Sequence, residues 1–260
     1  LGAYNDKPGS GPSWEAHLYA RRKDFQSVFV AFDATRDSAS PVLDQFDVPA
    51  LGLGGNVLAR WSGLGAWTIE SGADVRFADG ETNEQFRNLG AGFTRERQAG
   101  GEQIIAGAFV EGHRETAEGT LFTFGARADY WRQSKGMRQE SDLADGSLLI
   151  DRTFANRDGI ALNGRAGIST PLSETLDLRA TAYSGFRVPT LNELYRPFRV
   201  GNDITEANEN LVNERMAGAE VGLEFTTERA SAQATIFRND LFDPILNTTV
   251  TTASGFNAEF

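Results

Sequence analysis

Apolar and polar residues alternate with period two along most of this chain. Between Leu121 and Arg132, one side carries Phe122, Phe124, Ala126, Ala128 and Tyr130, and the other Thr123, Gly125, Arg127 and Asp129. Further on, Ile160, Leu162, Ala166 and Ile168 oppose Asn163, Arg165 and Ser169. Leu178, Ala180 and Ala182 oppose Asp177, Arg179 and Thr181, and Ala217, Ala219, Val221, Leu223 and Phe225 oppose Glu220 and Glu224. Successive side chains of a strand point to opposite faces, so this pattern predicts half-buried β-strands. Ten are expected, over 14–22, 25–36, 51–62, 66–78, 103–114, 120–133, 157–170, 176–187, 215–227 and 231–242. The best helical stretch, Thr190 to Tyr195, is short and begins just after a proline.

Alternation alone does not say what covers the apolar face, because a soluble sandwich has it inside and a membrane barrel has it outside. The connections decide. Joints after odd-numbered strands are short: Lys23–Asp24, Gly63 to Gly65, Glu115 to Gly119, Pro171 to Thr175 and Glu228 to Ala230. Joints after even-numbered strands are long, at 37–50, 79–102, 134–156 and 188–214. Outer-membrane barrels sort their turns in this way. The expected fold is therefore all-β, an antiparallel up-and-down meander forming part of a transmembrane barrel. Phe122, Phe124, Leu178, Ala180, Val221 and Leu223 should face lipid, with Arg127, Asn163, Arg165, Arg179 and Glu220 on the concave side. Trp61 and Trp67 beside one short turn, and Tyr130 with Trp131 at the far end of a strand, fit aromatic girdles at the two lipid–water boundaries.

Composition narrows the classes. No run approaches the ~18 apolar residues that a spanning helix needs, whereas a transmembrane strand needs only about 9–11. A net charge of −11 argues against nucleic-acid partners, which demand basic surface. With no cysteine, disulfides and thiolate metal sites are excluded.

The most specific signal is Ser184-Gly-Phe-Arg-Val-Pro-Thr-Leu-Asn-Glu-Leu-Tyr195, followed by Asn208-Glu-Asn-Leu-Val-Asn-Glu214 and then Glu220-Val-Gly222. It resembles the paired motifs of TonB-dependent outer-membrane receptors, FRAPTLNELY, NPNLKPE and E-x-G. Val188 stands for the usual alanine, and Glu209 and Asn213 for prolines. The matched positions are Phe186, Arg187, Pro189, Thr190, Leu191, Asn192, Glu193, Leu194, Tyr195, Asn208, Asn210, Leu211, Glu214, Glu220 and Gly222. The resemblance implies a bacterial outer-membrane receptor embedded in lipid and importing a small-molecule or metal-chelate ligand, an iron–siderophore by default. Energy would come from the TonB–ExbB–ExbD complex through a plug domain, and no cofactor is implied. Such receptors close a 22-stranded barrel. The whole of 1–260 then reads as an internal segment of the barrel domain, with plug and final strands outside it, although Phe256 to Phe260 resembles a terminal barrel strand.

Residue chemistry assigns the motif a structural role. Pro189 lacks a backbone donor and marks the exit from a strand. Asn192 and Glu193 can brace a turn, and Leu191, Leu194 and Tyr195 can pack it on the barrel rim. Ligand contacts are expected from Arg199 to Glu206 and from the joint between Gln133 and Asn156, with Arg138, Arg199, Asn202 and Asp203 as candidates. The resemblance implies that a haem-importing receptor carries an iron-ligating histidine between these two motifs; the interval Thr190 to Ala207 has none, which disfavours haem as cargo. His17 and His113 read as structural, so no metal site is expected. Glycine pairs at Gly52 to Gly55 and at Gly100–Gly101 lack a P-loop lysine and read as turns. Glu140 with Asp142 reads as ordinary charged surface. No catalytic constellation is present. The alternatives are a passive porin or structural barrel, and a soluble carbohydrate-binding domain with Phe122, Phe124, Leu162 and Leu223 in a dry core.

Overall fold

A computed structural model describes residues 1–5, 11–200, 203–252 and 255–259. The elements are β1 (Gly2–Asn5), β2 (Ser13–Phe32), β3 (Ala39–Leu64), β4 (Trp67–Asn88), β5 (Phe93–Glu115), β6 (Leu121–Asp142), β7 (Leu148–Thr153), β8 (Arg157–Ser173) and β9 (Leu176–Arg187). Then come α1 (Leu191–Tyr195), β10 (Phe198–Val200), β11 (Asp203–Glu206), β12 (Glu214–Thr226), β13 (Ser231–Phe242), β14 (Thr248–Thr252) and β15 (Gly255–Glu259). The main sheet runs β1-β2-β3-β4-β5-β6-β8-β9-β12-β13, with β7 on the distal part of β6, and every pair in it is antiparallel. This is the expected meander.

Several joints differ from expectation. Lys23–Asp24 is no turn: both residues lie inside β2, opposite Ala50 and Pro49 of β3. The stretches 37–50, 79–102 and 134–156 are mostly strand, because β3 to β6 run for 26, 22, 23 and 22 residues. At ~3.4 Å per residue and a tilt of about 40°, 22 residues rise about 55 Å, twice the ~25 Å apolar band of an outer-membrane barrel. In the expected membrane barrel these strands would project well beyond lipid. Sorting by side survives the redrawing. The tight turns at 65–66, 116–120, 174–175 and 227–230 share one end, and the other end holds 33–38, 89–92, 143–156 and 188–213. A second correction concerns direction. β10, β11, β15 and β14 form a small separate sheet in which β11 and β15 pair in parallel. The final strand thus joins that sheet instead of the wall, and Phe260 lies outside the described residues.

Register fixes the faces. Phe122, Ile168, Ala180, Val221 and Ile236 stand on one rung across five strands. The opposite face carries Arg127 beside Asn163, Arg165 beside Tyr183, Thr181 beside Glu220 and Arg179 beside Gly222. All eleven facing assignments made from sequence hold in parity. The polar face is concave: residues from six strands, Leu58 of β3 through Tyr183 of β9, line one open cavity of about 450 Å³. Phe124, Leu162 and Leu223 are exposed, contrary to the dry core a soluble sandwich requires. Trp14, Trp61 and Trp67 share the outer face near the tight-turn end, whereas Trp131 stands on the inner face and only Tyr130 points outward. Buried residues gather on the inner face of the projecting strands, around Leu43, Phe86, Ala99, Leu194 and Tyr195.

Candidate functional site: the motif loop on the inner wall

The wall strand β9 ends at Arg187, and buried Val188 and Pro189 turn the chain inward. Thr190 caps α1 from an extended backbone (φ −74°, ψ 159°) and forms a capping box with Glu193. The Thr190 amide donates to Glu193 Oε2 at 2.7 Å, and the Glu193 amide to Thr190 Oγ1 at 3.3 Å. This satisfies donors that a helix start leaves open. Arg187 binds the same carboxylate through Nη1, at 2.9 and 3.1 Å, and Glu214 through Nε. One guanidinium therefore joins the end of β9, the first turn of α1 and the start of β12. Burial pushes the Glu193 carboxyl upward, but Arg187 and Thr190 outweigh it, and the group sits below the usual range.

The two sequence motifs meet here. The Asn208 amide donates to Glu193 O at 2.9 Å, and Asn208 Oδ1 accepts from the Asn210 amide at 2.9 Å in an Asx turn. Arg157 of β8 donates to the carbonyls of Glu209 and Leu211, and Arg152 pairs with Glu209 at 2.6 Å. Glu214 Oε1 accepts from the Ile245 amide at 2.6 Å.

On its inward side the loop is bolted to β4, β5 and β6. Pro189 O accepts from Gln103 and Gln133 at 3.0 and 2.9 Å. Tyr195 is buried, stacked on Phe154 with ring centroids 4.8 Å apart. Its ring lies on Gly136, where a Cβ would come within 2.5 Å, and on Gly101. Beyond it sits a buried ion network. Glu84, with 0% exposure, accepts from Arg97 at 2.8 Å and from Arg196. Arg97 also reaches Glu140 at 2.8 Å and Pro197 O at 2.5 Å, and its guanidinium stacks on Phe86. Arg138 binds Glu140 at 2.7 Å and approaches Glu206 at 3.5 Å. Breaking such a network by removing one member costs about 3–5 kcal/mol, since the survivors stay buried without a partner.

The sequence candidates therefore divide. Arg187, Pro189, Thr190, Glu193, Leu194, Tyr195, Asn208, Asn210, Leu211 and Glu214 come together in this junction. Leu191 approaches Gly80 of β4, and Asn192 accepts the Arg196 amide through its carbonyl. Phe186 has outward parity, while Glu220 and Gly222 line the inner face. Arg138 joins the ion network; Arg199 and Asp203 supply backbone to the β10–β11 hairpin. Asn202 lies outside the described residues. Glu140 and Asp142, read as loose surface charges, are both paired, the latter with Arg95 at 2.5 Å.

Sequence reading missed Glu84, Arg97, Gln103, Gln133, Phe154, Arg157 and Arg196. The available signal was Gly100–Gly101, read as a turn but lying inside β5, where the missing side chain of Gly101 admits Tyr195 and that of Gly100 lets the β4 backbone at Gly80 and Glu81 approach. Gly52, Gly54 and Gly55 likewise lie within β3.

Closer to the tight turns, the inner wall carries a second charge lattice. Arg127 of β6 reaches over Gly107 of β5 to Asp74 of β4 at 2.7 Å, and Arg165 of β8 reaches over Gly125 to Glu111. Glu70, Glu111 and His113 lie within 4.8 Å of one another. Both carboxylates are already bound, by Arg60 and Arg165, so a cation would have to displace an arginine. His17 faces inward opposite Asn56, away from this group.

A meander of antiparallel wall strands with a motif loop tied to its concave face is the architecture of a β-barrel segment. The family model described as "TonB dependent receptor-like, beta-barrel" matches residues 2–258. The chain belongs to that family. Among solved structures it is similar to the copper transporter OprC (TM-score 0.73, 16% identity, 99% of this chain and 40% of that one). It is also similar to the ferric yersiniabactin uptake receptor FyuA from Yersinia pestis (0.67, 12%, 92% and 34%). The FrpB iron transporter from Neisseria meningitidis is a third (0.62, 15%, 98% and 37%). At these identities the likeness is one of fold, and the chain spans about two fifths or less of their lengths. No curated protein matches it by sequence.

Proposed function

We propose that this chain supplies wall and outer loops to an outer-membrane receptor importing a scarce small-molecule ligand, with an iron–siderophore chelate as the first candidate. Import is energised by TonB–ExbB–ExbD acting on a plug domain encoded outside this stretch. The observation that carries the reading is the motif loop itself, folded onto the concave face and held there by the Glu84–Arg97–Arg196 network. A receptor needs a preformed binding surface above its plug, and a loop fixed in shape on the concave face provides one. Iron chelates lead because two proteins of similar fold are a ferric yersiniabactin uptake receptor and an iron transporter; copper, carried by a third, is the competing cargo. The motif residues from Phe186 to Tyr195 and from Asn208 to Glu214 form the loop base. Cargo contacts come from Arg199 to Glu206, including Asn202 and Asp203, and from the β6–β7 region around Arg138.

The test is uptake of radiolabelled ferric siderophores by cells whose only outer-membrane iron receptor is the full-length protein. Accumulation abolished by a protonophore or by loss of TonB, with surface binding retained, is the expected result. Uptake that persists without proton-motive force contradicts the proposal and favours a passive pore.

A further inference from the structure

We propose that the seam between β8 and β9 is a window in the barrel wall, occupied by an outer-leaflet lipid whose polar head enters the seam and whose acyl chain lies along the outer face. The ladder between these strands begins at Ser173↔Leu176 and stops at Arg165↔Tyr183. Beyond it β8 runs on to Arg157 and β9 to Arg187, yet the two do not pair. The remaining link is a single hydrogen bond, from the Gly164 amide to Ser184 Oγ at 3.0 Å. Alternate residues of a strand send their N–H and C=O to the same edge, so the backbone polar groups of Leu162 and Ile160 also point into the opening. At the top, Arg157 closes it by holding the carbonyls of Glu209 and Leu211. The opening is thus framed on every side.

The opening has volume, and the spaces on its two sides share lining residues. A cleft of about 570 Å³ is lined by Leu162, Asn163, Ser184, Phe186, Asn213 and Phe242 among others. Asn163 and Ser184 also line the inner cavity of about 450 Å³, so the two spaces adjoin across the seam. Ile160 and Leu162 are 73% and 76% exposed, against 52% and 44% for Val221 and Leu223 on the intact ladder, as expected where a neighbouring strand is missing.

Chemistry and height select the occupant. Residues 184–187 stand 8–11 positions above the turn at Leu176, about 20–28 Å up a tilted strand, where the apolar band gives way to headgroups. At this edge of the apolar band, unpaired strand amides and carbonyls need a polar partner wherever hydrocarbon reaches them. Asn213 Oδ1 is also buried there with no hydrogen-bond donor. An amphiphile answers both demands, its ester or hydroxyl groups meeting the strand edges and Asn213, and its chain covering Ile160, Leu162, Phe186 and Phe242. The surrounding bilayer is a standing supply of such molecules.

This inference rests on the reading of the sheet as membrane wall. The test uses the full-length receptor in proteoliposomes containing a phospholipid that carries a nitroxide near the glycerol end of its acyl chain. This stretch has no cysteine, so single cysteines introduced in it carry a bimane fluorophore. Gly185→Cys probes the inner side of the window, where a Cβ meets nothing within 4 Å, and Asn163→Cys probes it from β8. Thr181→Cys is the inward control on intact ladder, and Leu223→Cys the lipid-facing control. Quenching at Gly185 and Asn163 within about twofold of that at Leu223, and well above Thr181, is expected for a lipid-filled window. Quenching at Leu223 alone overturns the window and leaves the membrane reading standing. Quenching at Gly185 by aqueous iodide but not by the lipid means the seam is water-filled, which also overturns the proposal. No quenching at Leu223 overturns the membrane reading, and the window with it.

Discussion

Replacing Glu84 by alanine should release the motif loop from the wall without unfolding the barrel. Glu84 is the shared acceptor of Arg97 and Arg196 and has no exposed surface. Without it, Arg97 keeps Glu140 and Pro197 O, but among the described residues the Arg196 guanidinium retains only its stacking over Phe198. One buried guanidinium left without a carboxylate places the cost near the low end of the 3–5 kcal/mol range, about 3 kcal/mol. The wall ladders of β4 with β3 and β5 do not depend on this side chain, so the loss falls on loop docking. At about 1.4 kcal/mol per decade, the undocked population rises roughly a hundredfold. Hydrogen exchange reads this directly, because the Leu194 and Arg196 amides are bonded within α1, to Thr190 O and Asn192 O. In the full-length receptor, exchange at these two amides should accelerate by about two powers of ten in Glu84→Ala, and less in Glu84→Gln. Acceleration below about threefold, with wall amides unchanged, would refute the claim that this network holds the loop.

Gly136→Ala places a Cβ 2.5 Å from Tyr195 and should expel the ring and loosen the loop, whereas Gly185→Ala meets open space and should be neutral in the same exchange assay. Arg187→Ala should lower surface abundance and protease resistance more than ligand affinity; unchanged abundance with abolished binding would make the motif a cargo site. The Glu193 carboxyl titrates below its unfolded value, so its contribution is complete above pH 4.5 and is lost as pH falls through the depressed value; α1 exchange should be flat from pH 7 to 5, after correction for intrinsic rates, and rise only below 4.5. Val221→Arg on the lipid face should cost about 2–4 kcal/mol in a bilayer unfolding assay, and Glu220→Arg on the inner face much less.

What the sequence made legible follows from which residues see two different solvents. Where a strand has lipid on one side and lumen on the other, as from Leu121 to Arg132 and from Arg215 to Phe225, period two is sharp and the facing was read correctly. On the projecting parts the outer face is wet and the inner face buries polar and charged side chains such as Thr82, Glu84 and Arg97, so apolar alternation fades. There Arg22, Lys23 and Asp24 sit comfortably inside β2, and a strand segment such as 79–88 resembles a polar loop. Thr190 to Tyr195 stood out as the best helical stretch and Glu193 as a turn brace, because both signals are local; the capping box itself was not read from the sequence. The ion network was hidden, since Glu84 lies 13 residues from Arg97 and 112 from Arg196 and nothing local marks the three as partners. The broken β8–β9 ladder was equally silent: Ile160 and Leu162 alternate as though paired.

The account stands on β12 separating lipid from lumen, and nitroxide scanning of residues 216–225 in the reconstituted full-length receptor tests that directly. Collision with oxygen should peak at 217, 219, 221, 223 and 225, and collision with an aqueous nickel chelate at 216, 218, 220, 222 and 224. Oxygen accessibility in the opposite phase, or without a period of two, would contradict the assignment of lipid and lumen faces on which the whole reading depends.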